Sequence, residues 1–378
     1  MFKRMQSMRM QAVHCFQTVG PDQHEYRAIV AIHNTHLGPA LGGCRCLHYS
    51  HEQHAFDDAM RLAQGMSYKA ALANMSQGGG KSVILLPKHV ELADIDRNFL
   101  FTWFGRCVDT LQGQYITAMD VGTQVSDMDI ISRQTRHVAS ASNIGDPAES
   151  TAQGVMAGIR AALKFHYFHH MKGSGIKGKT FAIQGLGHVG GRIAKQLLML
   201  GGHVIAADPN EELCQQGQAL GMSIVNIDSI LTQPCDVLVP CALGGIINDD
   251  NVMKLNCEIV AGSANNQLAK NAIAERLRLR EILYAPDYII NAGGLIFAAM
   301  RYAERTDKRI LNKNVEQNIE QKIEGIFDTL TEVFQQAESE KLNVNEVANS
   351  LAIKRLTTDH ANDQVDVSQN KGAVYYAA

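Results

Sequence analysis

Two rhythms of hydrophobic and polar positions divide the chain. Up to about Ile144 the order is mixed. Tyr26, Ala28, Val30 and Ile32 fall at every second position, as on a half-buried strand, and a turn-rich stretch follows at 37–43. A helix is predicted over 52–66. The glycine cluster Gly78-Gly79-Gly80 precedes an apolar strand over 82–86, and a second helix over 98–111 leads to a short strand over 115–118. From Thr151 the chain alternates regularly between strand and helix. Val155, Ile159, Ala162 and Leu163 mark one helix face, and short apolar runs follow at 180–184, 203–207, 223–225, 236–239, 258–261 and 282–284. Such runs separated by crossovers predict a parallel, doubly wound sheet. Val315, Ile319, Ile323, Ile326, Leu330, Val333 and Ala337 then step by three and four along a long amphipathic helix, with a shorter helix at Val347 to Leu351 and a polar tail from Thr357. The expected fold is α/β in two domains. Residues 1–145 read as a mixed α/β domain and 146–334 as a doubly wound, Rossmann-type domain.

Composition narrows the classes. Hydrophobic residues make up 46% and charged residues 19% of 378 positions, which excludes disorder as the dominant state. A net charge of −3 gives no general attraction to nucleic acid. No apolar run approaches the ~20 residues needed to span a bilayer. The first residues, with Lys3, Arg4 and Arg9 but no apolar core, are not expected to act as a signal peptide. The eight cysteines are scattered and include no Cys-x-x-Cys pair, so free buried thiols and a cytoplasmic setting are expected.

Gly185-Leu186-Gly187-His188-Val189-Gly190 sits directly between the strand 180–184 and a helix predicted over 189–200, and the next strand ends at Asp208. Each glycine has a separate task. Gly185 allows the tight turn, Gly187 admits a pyrophosphate to the backbone, and Gly190 lets helix and strand pack closely. The phosphates would lie at the positive end of the helix dipole. A carboxylate at position 208 bonds ribose hydroxyls and repels a 2′-phosphate, which favours NAD over NADP. Taken alone, the glycines could serve only to tighten a βαβ unit. Together with both strands, the helix and the terminal acid they predict dinucleotide binding.

The first half supplies candidate chemistry: Lys69 at the end of a helical stretch, Lys81 directly after three glycines, and Asp120 before Val121-Gly122. The runs at 37–43, 65–69, 78–81, 120–123, 240–244, 261–267 and 285–294 closely resemble the amino-acid dehydrogenase family that includes glutamate, leucine, valine and phenylalanine dehydrogenases, in the family's order and from about Ala28 to Leu356. The leucine dehydrogenase branch looks most similar. The resemblance implies reversible, NAD-dependent oxidative deamination of an L-amino acid to a 2-oxo acid and ammonium. It implies that Lys69 holds the substrate carboxylate, that Lys81 activates water and that Asp120 exchanges protons with the amine. Two cations in one closed cleft lower the pKa of one of them, and Lys81 is expected to be that one. Asn265, Asn291 and Thr151 match positions lining the nicotinamide end, although Thr151 could equally be a plain N-cap.

The matching side-chain pocket comprises Leu41, Gly43, Met66, Ala118, Leu295 and Ala298. No lysine or arginine stands among them to bind a distal carboxylate. Ala118 falls where phenylalanine and tryptophan dehydrogenases tend to have glycine, which favours leucine, isoleucine and valine. Met119, Phe297, Ala298 and Cys44 depart from the usual leucine-enzyme residues. The alternatives are an aromatic amino-acid dehydrogenase and a non-catalytic NAD-binding sensor. No metal site is expected: His51-Glu-Gln-His54 is one residue short of the zinc-peptidase spacing, and 166–170 reads as a helix end. The family also implies a homo-oligomer, with residues 1–145 as the substrate-binding and oligomerisation domain, completed by C-terminal helices over 335–378, and a cleft separating it from the NAD-binding domain over 146–334.

Overall fold

The computed structural model describes residues 2–88, 90–168, 173, 175–306 and 314–358. His169, His170 and the expected C-terminal tail from residue 359 lie outside the described residues.

The first half comprises α1 (Phe2–Ser7), β1 (Ala12–Val19), β2 (Glu25–Asn34), β3 (Ala40–Leu47), α2 (Glu52–Leu72), β4 (Gly78–Leu85), α3 (Arg97–Thr110), β5 (Tyr115–Met119) and α4 (Val125–Ser132). Its sheet has the order β1-β2-β4-β3-β5. β1 and β2 run antiparallel to their neighbours, while β4, β3 and β5 are mutually parallel. β2 is buried on both faces rather than half-buried. Its even positions Tyr26, Ala28, Val30 and Ile32 pack with Leu100, Phe101 and Phe104 of α3, and its odd positions Ile29 and Ala31 pack with Ala55, Ala59 and Ala63 of α2. A strand covered by a helix on each side has no polar face to show.

The turn-rich reading of 37–43 gives way to a central strand, since β3 begins at Ala40. Here the glycines serve close packing rather than turning. A Cβ on Gly42 would lie 1.7 Å from the Gly80 carbonyl oxygen, and one on Gly79 would lie 2.0 Å from the Ser67 amide. Gly78 to Gly80 are likewise part of β4 and do not precede it. The helix expected over 52–66 continues to Leu72, which places Lys69 within its last turn. α1 and β1 were not anticipated.

The second half comprises α5 (Ala148–Tyr167), β6 (Thr180–Gln184), α6 (Gly190–Met199), β7 (His203–Ala207), α7 (Glu211–Ala219), β8 (Ser223–Ile224), β9 (Cys235–Pro240), β10 (Cys257–Val260), α8 (Ala272–Leu279), β11 (Leu283–Tyr284), α9 (Asp287–Ile290), α10 (Gly293–Thr306), α11 (Val315–Glu340) and α12 (Val344–Thr357). Its strands are all parallel, in the order β11-β10-β9-β6-β7-β8. The order reverses between β6 and β9, which opens a crevice at their carboxyl ends. Asn210, Asn314 and Asn343 cap α7, α11 and α12 through their side-chain oxygens. All seven apolar positions expected on α11 are buried, and each of the six larger than alanine is worth about 1.5–3 kcal/mol when fully enclosed. α11 packs on α5, and α12 packs back on α2. Arg355 of α12 donates to the Leu72 carbonyl at 3.1 Å, tying the end of the chain to the first half.

All eight cysteines are free thiols, but only Cys44, Cys46 and Cys107 are buried, and Cys15 on β1 is exposed. Among the described residues no helix is long and apolar enough to cross a membrane.

Candidate active site

Three parallel strands present the first half of the site. Gly43 on β3 stands opposite Ala118 on β5, and Cys44 stands opposite Ser82 on β4, so Lys81 is the neighbour of Gly43 on the other side. A Cβ at Gly43 would lie 2.7 Å from the Asp120 Cβ and 3.2 Å from the Lys81 Nζ. Glycine there leaves room for a lysine and a carboxylate to meet over the strand. Lys81, 5% exposed, donates to Asp120 Oδ2 in a short ion pair. Arg45 Nε donates to the same oxygen at 2.8 Å. Burial acts to raise the Asp120 pKa, but Lys81 and Arg45 outweigh it and hold the carboxyl below its ordinary range.

Lys69 reaches the opposite lobe. Its ammonium donates to Asn291 Oδ1 at 2.6 Å, and the Asn291 amide nitrogen donates to the Ser263 carbonyl at 3.0 Å and to Asn265 Oδ1 at 2.9 Å. The amide of Asn266 donates to Asp287 Oδ2. The turn 265–266 is thereby pinned, with Asn266 in the left-handed region at φ 51°. Burial lowers the Lys69 pKa to about 8, opposed by Asp287 and reinforced by Lys81. The Lys81 pKa is also lowered by burial, opposed by Asp120. The depression expected for Lys81 alone is therefore shared, because among the described residues no carboxylate hydrogen-bonds to Lys69.

The glycine loop occupies the crevice between β6 and β9. Gly185 has φ 97°, and a Cβ on Gly190 would lie 2.0 Å from the Gly185 carbonyl oxygen. Nothing lies within 4 Å of a Cβ position on Gly187, so the space above it is open. The N-cap Val189 makes no side-chain cap to α6. Leu186 is buried, whereas Gly187 and His188 are exposed. The Asp208 carboxylate accepts from the Leu186 amide at 2.7 Å and from the Asn210 amide at 2.8 Å, and so is held beside the loop. An open backbone cradle with a fixed carboxylate at its far end fits NAD.

Leu41, Ala118, Leu295 and Ala298 belong to one continuous apolar cluster, outside which Met66 stands, half-buried on α2. Thr151 is not an N-cap. It lies inside α5, and its Oγ1 donates to the Pro147 carbonyl at 2.9 Å. A Cβ on Gly294 would come within 2.7 Å of that oxygen, so Thr151 borders the start of α10. Among the departures, Met119 is 43% exposed and Cys44 is fully buried. Phe297 is buried, stacks under the Arg301 guanidinium at 5.4 Å and sits against Gly145. Arg45 and Asp287 were missed as site residues. Strand alternation could have found Arg45, two positions past Gly43 on the same face.

A doubly wound domain with this loop, facing a buried lysine, a half-buried lysine and a carboxylate, defines an NAD-dependent amino-acid dehydrogenase. Residues 10–137 match the Glu/Leu/Phe/Val dehydrogenase dimerisation domain, and residues 212–363 match the glutamate/leucine/phenylalanine/valine dehydrogenase domain. Residues 150–245 also match the NAD binding domain of D-isomer specific 2-hydroxyacid dehydrogenases. The chain belongs to the Glu/Leu/Phe/Val dehydrogenase family. It is 40% identical to leucine dehydrogenase of Thermoactinomyces intermedius, over 87% of each chain. It is 38% identical to phenylalanine dehydrogenase of Caldalkalibacillus thermarum (strain TA2.A1), again over 87% of each. The crystal structure of L-tryptophan dehydrogenase from Nostoc punctiforme superposes with a TM-score of 0.80 at 34% identity, covering 94% of this chain and 98% of that one.

Proposed function

We propose that the protein oxidatively and reversibly deaminates branched-chain aliphatic L-amino acids (leucine, isoleucine and valine) with NAD, releasing the 2-oxo acid and ammonium. The observation that carries this reading is the Lys69–Asn291 hydrogen bond, which closes the cleft with the Lys81–Asp120 pair on its floor. Lys69 pairs with the substrate carboxylate, replacing Asn291 with a full negative charge. Asp120 takes a proton from the α-ammonium, which frees the lone pair that expels the α-hydrogen. NAD, when bound, supplies the acceptor for that hydrogen as hydride. Lys81, its pKa lowered by burial, acts in its unprotonated form to remove a proton from water as it adds to the imine carbon, and returns one to the leaving amine. Gly185 to Gly190 and Asp208 hold the dinucleotide, with Asn265, Asn291 and Thr151 at its nicotinamide end.

Leu41, Met66, Ala118, Leu295 and Ala298 form the side-chain pocket, with Gly43 beside the α-carbon. The Ala118 methyl opposite Gly43 takes up depth that an aromatic ring would need, and this favours the aliphatic reading. The tryptophan and phenylalanine enzymes among the relatives make aromatic substrates the alternative. Residues 1–145, together with the C-terminal helices, form the substrate and assembly domain of a cytoplasmic homo-oligomer, and 146–334 form the NAD domain. A panel of L-amino acids assayed by NADH absorbance, with NAD and NADP in parallel, tests the proposal. Preference for leucine, isoleucine or valine with NAD is expected; preference for phenylalanine or tryptophan defeats the aliphatic reading, and no amino-acid-dependent reduction defeats the enzymatic one.

A further inference from the structure

We propose that Arg45 is a positioning residue for the reaction. It serves as the standing counter-ion of Asp120, fixing that carboxylate by one oxygen so that Lys81 can leave it for the substrate. This rests on the reading of Asp120 and Lys81 given above. Both cations donate to Oδ2 of Asp120, and among the described residues no hydrogen bond reaches Oδ1. The free oxygen is thus the one available to a substrate amine. A lysine that must handle water and imine cannot also remain bound to the carboxylate, and when it departs a lone buried Asp120 would lose its charge partner.

Arg45 meets the need because it is itself immobilised. Its Nη1 donates to Asp58 Oδ2 on α2 at 3.0 Å, and that oxygen also accepts from the Tyr49 hydroxyl at 2.8 Å. Arg61 holds the other Asp58 oxygen at 2.8 Å. The planar guanidinium therefore bridges two carboxylates, a geometry a lysine cannot reproduce. The charged groups acting on Asp120 are Lys81 from β4, Arg45 from β3 and Lys69 from α2. The nearby Cys44, Tyr49 and Tyr115 are held protonated far above neutral pH by burial. Arg45 is the one of the three cations with no proposed duty toward the substrate.

The experiment compares wild type, Arg45→Met and Arg45→Lys by pH profiles of kcat and kcat/KM for L-leucine, with NADH binding followed by fluorescence. Arg45→Met is expected to lose roughly 10- to 100-fold in kcat, to shift the acid limb of kcat/KM upward by about one pH unit, and to bind NADH within about twofold of wild type. Arg45→Lys is expected to restore the acid limb but only part of kcat. If Arg45→Met does not fold, Arg45→Lys carries the test. An unmoved acid limb in Arg45→Met, whatever its kcat, overturns the proposal, and so does wild-type kcat in Arg45→Lys. Asp120→Asn is run alongside: full turnover in that variant would instead overturn the role of Asp120, whatever Arg45 does.

Discussion

Lys69 on α2 and Asn291 at the end of α9 are 222 residues apart in sequence, yet the ammonium of one donates to the side-chain oxygen of the other at 2.6 Å. Asn291, 4% exposed, spends its two amide hydrogens on Ser263 and Asn265. Its oxygen is therefore the acceptor left for a cation from across the cleft. This contact is made by the residue proposed to bind the substrate carboxylate, so substrate entry and the hold between the lobes involve one ammonium group.

That ammonium gives a pH signature. Its pKa in the folded chain is about 8, against 10.5 ordinarily. Between those values the unfolded chain still holds the proton that the folded one has released, so stability rises with pH across that window. Lys69→Met removes the effect. The stability difference between variant and wild type should move in favour of wild type by something on the order of 2 kcal/mol from pH 8 to 10.5. Denaturant unfolding at both pH values checks this, and a pH-independent difference would show that the ammonium is not desolvated.

Lys81→Ala should lower kcat by about 10²–10⁴ or more, the range of a removed general acid–base group. NADH affinity should stay near wild type, since Lys81 lies on β4 and away from the glycine loop. Near-normal turnover would remove the assignment.

Two glycines of the loop should fail differently. At Gly187 a methyl meets nothing within 4 Å, so Gly187→Ala should keep its Tm and lose about tenfold or more in NADH binding, through the space reserved for the pyrophosphate. At Gly190 a Cβ would lie 2.0 Å from a carbonyl oxygen, so Gly190→Ala should lower Tm as well. Thermal melts paired with a fluorescence titration separate the two. Equal Tm losses would contradict the open cradle.

Ala118→Gly should raise the ratio of phenylalanine to leucine kcat/KM by about tenfold, the effect of one methyl in a pocket. An unchanged ratio would mean that side-chain discrimination lies elsewhere, with Leu295 and Ala298 as the next positions to vary.

The Rossmann half was legible nearly residue by residue. Strands 180–184 and 203–207 were bounded correctly because buried parallel strands are short apolar runs ended by glycine or a charge. The first half was less legible because its glycines have two uses. At 42–43 and 78–80 they sit inside strands, where backbones approach one another, yet a sequence pattern reads them as turns. β1 was missed because an edge strand with half-buried and exposed positions leaves a weak alternation. The lysines and Asp120 were nameable from their motifs. Arg45 and Asp287 were not, because a charged residue in a strand or at the start of a short helix looks ordinary until its partner, distant in sequence, is in place.

The missing Cβ atoms at Gly42 and Gly43 make β3 the part of the site least open to change. The reactive floor is squeezed between neighbouring backbones and tolerates almost no added atom. Ala118, Leu295 and Ala298 are only partly buried at the border of the apolar cluster, outside that squeeze. Descendants of this chain could therefore acquire new substrates by redecorating the end of β5 and the start of α10 while the reactive groups stay as they are.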